Sequence, residues 1–138
     1  MTDPAHHRRR KILVADDAFD SRQLLSRLLS RLVDADIHEA RHGLAASQEY
    51  RLTRPQITFL DIDMPERDGM TVLKEIREID ANAFVVMVSA HSVLDKVQEA
   101  IAMGIGGFVV KPYSARRIVD VLKKYASESG DTELLRPE

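Results

Sequence analysis

The chain alternates between two hydrophobic periods, and this limits the folds open to it more than any other feature. "KILVA" (11–15) is a short, continuous apolar run, which predicts a buried strand. In the following "FDSRQLLSRLLSRLV", Leu24, Leu25, Leu28, Leu29 and Leu32 recur at helical spacing between Arg and Ser. The same change of period recurs along the chain. "DIHEA" (36–40) predicts a weaker second strand, and Gly43 to Leu52 a helix stopped by Pro55. "QITFL" (56–60) predicts a third strand, and Gly69 opens a helix with Val72, Leu73, Ile76 and Ile79 on one face. "AFVVMVS" (83–89) predicts a fourth strand. Ser92 and Asp95 resemble a capping box for a helix carrying Leu94, Val97 and Ile101, which Gly104 ends. "GFVV" (107–110) predicts a fifth strand, and Ser114 caps a last helix bearing Ile118, Val121, Leu122 and Tyr125.

Five strand–helix units in this order imply an α/β fold: a doubly wound five-stranded parallel sheet with helices on both faces. Strands buried on both faces should be apolar throughout, as the first, fourth and fifth are. The second is the most charged and belongs at an edge. Residues 10–126 form the expected domain, with residues 1–9 a basic N-terminal tail and 127–138 a polar C-terminal one. A length of 138 residues suits one such domain. The absence of cysteine excludes disulfides, thiol nucleophiles and thiolate zinc sites. The apolar runs are too short to cross a membrane. The apolar stretch after "HHRRRK" ends at once in Asp16 and Asp17, so a secretory h-region is not expected there. A net charge of −2 argues neither for nor against a charged partner, and "HHRRRK" reads as a solvated tail rather than a nucleic-acid contact. The expectation is a cytoplasmic, soluble protein that engages neither membrane nor nucleic acid.

In open parallel sheets, ligands bind outside the carboxyl ends of the strands. Here the first strand ends in Asp16 and Asp17, the third in Asp61, the fourth in Ser89 and the fifth in Lys111 and Pro112. With the second strand at an edge, these ends converge on one site. Clustered carboxylates raise one another's pKa unless a cation neutralises them. An all-oxygen donor set suits magnesium better than zinc. A lysine and a hydroxyl suit phosphoryl oxygens, and an aspartate can form an acyl phosphate. The parts describe phosphoryl transfer onto a carboxylate.

Four motifs at successive strand ends resemble the response regulator receiver domains of two-component signalling, most like the stand-alone chemotaxis type. They are "VADD", "LDIDMPERDG", "VSA" and "FVVKPY". The resemblance covers about residues 10 to 126 and implies a flavodoxin-like sheet of order 2-1-3-4-5. It implies that Asp61 is the phosphoacceptor. Mg2+ would be held by Asp17, by Asp16 directly or through water, by Asp61, and by the backbone carbonyl of Asp63. Lys111 would pair with Asp61, across a cis bond to Pro112. Ser89 would hydrogen-bond the phosphoryl group, and Phe108 would turn inward as Ser89 moves. The common family pattern has tyrosine where this chain has Phe108, which has no hydroxyl for the switch to use; Tyr113 is a substitute aromatic. Asp63 and His91 would flank the phosphoryl group, as an ion pair across the path of attacking water or as solvated bystanders. Asp68 and Gly69 read as a turn and helix start.

The resemblance implies a switch rather than an enzyme, catalysing only its own phosphorylation and dephosphorylation. A sensor histidine kinase or histidine phosphotransfer protein would supply phosphate. A downstream protein would bind residues 92–126, the fourth helix, fifth strand and fifth helix, and a homodimer stays open. Two alternatives stand beside it. "FLDIDMP" also matches the opening motif of haloacid dehalogenase-like magnesium-dependent phosphatases, although the upstream acidic pair and short chain argue against them. A pseudo-receiver that only binds is opposed by the complete acidic set.

Overall fold

The computed structural model describes residues 9–90 and 94–137. Its order is β1 (Lys11–Ala15), α1 (Phe19–Leu32), β2 (Asp36–Ala40), α2 (Gly43–Thr53), β3 (Ile57–Asp61), α3 (Gly69–Ile79), β4 (Phe84–Ser89), α4 (Leu94–Ala102), β5 (Gly107–Val110) and α5 (Ala115–Ser129). All strand pairs are parallel, in the order β2-β1-β3-β4-β5. The most charged strand, β2, is an edge, because its polar side chains could not be buried on both faces.

Alternation along the strands divides the core into two layers. Ile12, Val14, Ile57, Phe59, Val86 and Val88 pack with Leu25 and Leu29 of α1 and Ile118, Val121 and Leu122 of α5. Leu13, Leu60, Val85 and Met87 pack with Ala46 and Tyr50 of α2, Val72, Leu73 and Ile76 of α3, and Ala100 of α4. Side-chain acceptors close the helix starts: His42 takes the Ala45 N–H, Asp68 that of Thr71 and Ser114 that of Arg117. The expected cap at Ser92 lies outside the described residues.

Three expectations are corrected. Leu24 is 52% exposed, because the buried stripe of α1 runs through Leu25 and Leu29. Ile101 is 61% exposed, whereas Ala100, one position earlier, is fully buried. The last correction concerns the C-terminus. Residues 127–129 continue α5, and Leu134 is fully buried against the α1/α5 layer.

Candidate functional site

The carboxyl ends of β1, β3, β4 and β5 meet at one end of the sheet. Asp16, Asp61 and Ser89 are each at most 3% exposed, and Asp17 is exposed beside them. Asp16, Asp17 and Asp61 each offer an oxygen within 4.8 Å of the others. Lys111 spans two of them, its Nζ 2.8 Å from Asp16 Oδ2 and 3.0 Å from Asp61 Oδ2. The other oxygen of each carboxylate is held locally: Ala18 N–H donates to Asp16 Oδ1 at 2.9 Å and Asp63 N–H to Asp61 Oδ1 at 3.0 Å.

These contacts set the electrostatics. Burial pushes the Asp61 pKa up to about 6, against the hydrogen bonds from Lys111 and Asp63 N–H, and Asp16 adds to the rise. Burial works against the Lys111 ammonium, but hydrogen bonds to Asp16 and Asp61 outweigh it and hold its pKa above the ordinary value. Burial and then the nearby Asp16 and Asp61 push the Tyr113 phenol up; its hydroxyl stands 3.4 Å from Asp16 Oδ2. The donors fit a hard divalent cation: three carboxylates, no sulfur or nitrogen ligand among the described residues, and access through exposed Asp17.

The loop after β3 explains the other acidic residues of "FLDIDMPERDG". Asp68 Oδ1 accepts the Thr71 N–H at 2.8 Å and starts α3. Glu66 has φ 72 between Pro65 and Arg67, whose carbonyl and N–H bond across it. Asp63 is exposed, and its carboxylate lies 3.8 Å from Lys96 of α4. His91, named with Asp63 as a flanking residue, lies outside the described residues. Gly69 packs against the end of β3: a Cβ there would collide with the Asp61 carbonyl. The Lys111–Pro112 bond is cis. Phe108 is half-buried against the α2–α4 layer.

One residue of this region belongs to none of the four sequence motifs. Arg22 donates from Nη1 to the Asp16 carbonyl at 2.9 Å and from Nε to Glu39 Oε1 at 2.9 Å. The available signal was its position near the start of α1, where the helix dipole disfavours a cation.

Fold and site together define a flavodoxin-like α/β domain with an acidic pocket outside its strand ends. A family model described as the response regulator receiver domain matches residues 12–123. The chain is 38% identical over 114 residues to the chemotaxis protein CheY of Bacillus subtilis, covering 83% of this chain and 95% of that protein. It is 33% identical over 115 residues to sporulation initiation phosphotransferase F of the same organism, covering 83% and 92%. Among solved structures, the CheX–CheY–BeF3–Mg2+ complex from Borrelia burgdorferi matches with TM-score 0.75 and 31% identity, over 87% of this chain and 89% of that one. The chain belongs to the response regulator receiver family. Members are signalling switches with an acidic Mg2+ pocket rather than conventional enzymes, which sets the phosphatase alternative aside.

Proposed function

We propose that the chain is a phosphorylation-dependent switch of a two-component system that accepts its phosphoryl group on Asp61. The observation that carries this reading is the buried Asp61 carboxylate, 3.0 Å from a lysine that also contacts Asp16 in the acidic pocket. The donor would be the phosphohistidine of a sensor kinase or phosphotransfer protein. A carboxylate oxygen of Asp61 attacks phosphorus, the P–N bond breaks, and the imidazole leaves with a proton, giving an acyl phosphate. Asp16, Asp17, Asp61 and the Asp63 carbonyl would hold Mg2+. When bound, it offsets the charge of the carboxylates and phosphoryl oxygens. Lys111 stays cationic and pairs with the new phosphoryl oxygens.

Ser89, buried at the end of β4, donates its hydroxyl to the phosphoryl group. Phe108 of β5 follows it inward, which biases α4, β5 and α5 toward a second arrangement. Exposed Ile101 and Val110 give that face an apolar contact surface for a downstream protein. Asp63 and His91 set the lifetime of the phosphorylated state.

Acetyl phosphate with Mg2+ should add one phosphoryl group to the wild type, detected by intact mass, and none to Asp61→Asn. Equal modification of the variant would refute the assignment. Beryllofluoride should shift amide resonances across 94–126. Shifts confined to the loops around Asp61 would overturn the output face.

A further inference from the structure

The backbone carrying the acidic pair is tied to the edge strand directly and, through Arg22 of α1, indirectly. Asp16 N–H donates to the Ala40 carbonyl at 3.0 Å, and the Asp16 carbonyl accepts Arg22 Nη1 at 2.9 Å. Arg22 is itself held. Its Nε lies 2.9 Å from Glu39 Oε1 on β2, its guanidinium stands 5.6 Å from the centroid of the Phe19 ring, and its side chain is only 12% exposed. Gln23 Nε2 donates to the same Glu39 oxygen at 3.0 Å, which fixes the carboxylate in turn.

The placement has no benefit for α1. A cation close to a helix N-terminus opposes the macrodipole, and no side chain caps this helix. A simple ion pair with Glu39 would not need the second bond to a main-chain carbonyl. That bond fixes the peptide plane between Asp16 and Asp17, whose orientation aims the exposed Asp17 carboxylate. Asp16 needs no such help from its own side chain, which Lys111 and Ala18 already hold.

We propose that Arg22, oriented by Glu39, is a positioning residue for the acidic pair: it fixes the Asp16–Asp17 peptide so that the Asp17 carboxylate faces the pocket beside the already held Asp16 before a cation arrives. The idea rests on the magnesium reading of the pocket. Planar, two-point donation is the property that counts, so lysine should not substitute.

Charge and positioning predict opposite signs, which makes the test decisive. If Arg22 acted only through its charge, Arg22→Gln would tighten Mg2+ binding by removing a nearby cation, and Arg22→Lys would leave it unchanged. Positioning predicts that both variants weaken Mg2+, by about tenfold as for other residues that orient metal ligands, and that Glu39→Gln weakens it less. Calorimetric Mg2+ titration of the full chain reads this. The second readout needs no metal: amide exchange at Asp16 and Ala18 should accelerate in both Arg22 variants, while the amides of β3 and β4 keep their protection. Tighter or unchanged Mg2+ binding, or unchanged exchange at those two amides, would overturn the proposal. A wild type that binds no Mg2+ would refute the metal reading, and the exchange arm would still decide whether Arg22 holds the loop. If Arg22→Gln fails to fold, Arg22→Lys and Glu39→Gln carry both measurements.

Discussion

At the scale of single residues, the four carboxylates of residues 59–69 have separate jobs, and burial is what separates them. Exposed Asp68 caps a helix; its pKa is lowered chiefly by the Thr71 N–H. Asp61 is enclosed, and its charge costs stability. Below about pH 3.8 it is protonated in both folded and unfolded chains, so no cost arises. Above about pH 6 it is ionised in both, and the folded state carries the full penalty. This group's contribution to stability therefore falls as pH rises from about 4 to 6. Asp61→Asn should raise the unfolding free energy of metal-free protein near pH 7 by roughly 1–3 kcal/mol, with Asp16 still pairing Lys111. The gain should shrink toward pH 4 in urea titrations; a pH-independent gain would contradict the cause. The place of Asp61 was legible because it ends an apolar strand. The left-handed backbone of Glu66 was not, since nothing in a residue's type announces one φ value. Nor was the Asp63–Lys96 contact, because a partner 33 positions away depends on how α4 is seated.

At the scale of elements, α4 departs most from its sequence pattern. Its expected face ran through Ile101, but Ala100 is the buried contact, because a small side chain lets the helix lie close over the sheet. Periodicity locates a helix well and its rotation poorly when only three apolar positions define the face. By contrast, Ile118, Val121, Leu122 and Tyr125 of α5 are all buried as their spacing implied. The C-terminal end of α4 is held by Arg77 of α3. Arg77 donates to the carbonyls of Met103 at 2.7 Å, Ala83 at 2.7 Å and Gly104 at 2.8 Å, with a cation at the negative end of the α4 dipole. Arg77→Ala should cost about 2–3 kcal/mol, as three carbonyls lose a charged donor. Arg77→Lys, with no fork, should recover only part. Ile101→Ser should leave the denaturation midpoint almost unchanged, because its side chain already faces water. An Ile101 variant as damaged as Arg77→Ala would mean the helix rotation is wrong.

At the scale of the whole molecule, the chain separates chemistry from closure. The acidic pocket occupies the carboxyl ends of the strands, and the C-terminal segment closes the opposite end. Asp131 accepts two bonds from Arg10, just before β1, at 2.6 and 2.7 Å. Leu135 forms an antiparallel bridge with Val33 after α1; the Asp34 N–H donates to the Leu134 carbonyl at 2.9 Å, and the Arg136 N–H to that of Leu32 at 2.8 Å. Leu134 fills the gap between these contacts and is fully buried. "GDTELLRPE" hid this role, since one Leu pair in a polar stretch carries no period to read. The arrangement predicts a clean division. Leu134→Ala leaves a cavity in the α1/α5 layer and should cost about 2–4 kcal/mol. Truncation after Gly130 should cost at least as much, because it also unpairs Arg10 and the Asp34 N–H. Neither change touches the pocket. Below the lowered melting temperature, both proteins should therefore bind Mg2+ and take phosphate from acetyl phosphate at the wild-type rate. Chemical denaturation with parallel phosphorylation kinetics checks both halves. If phosphorylation slows while the protein is still fully folded, the two ends are coupled and the division fails. If the truncated chain keeps wild-type stability, the segment contributes no closure.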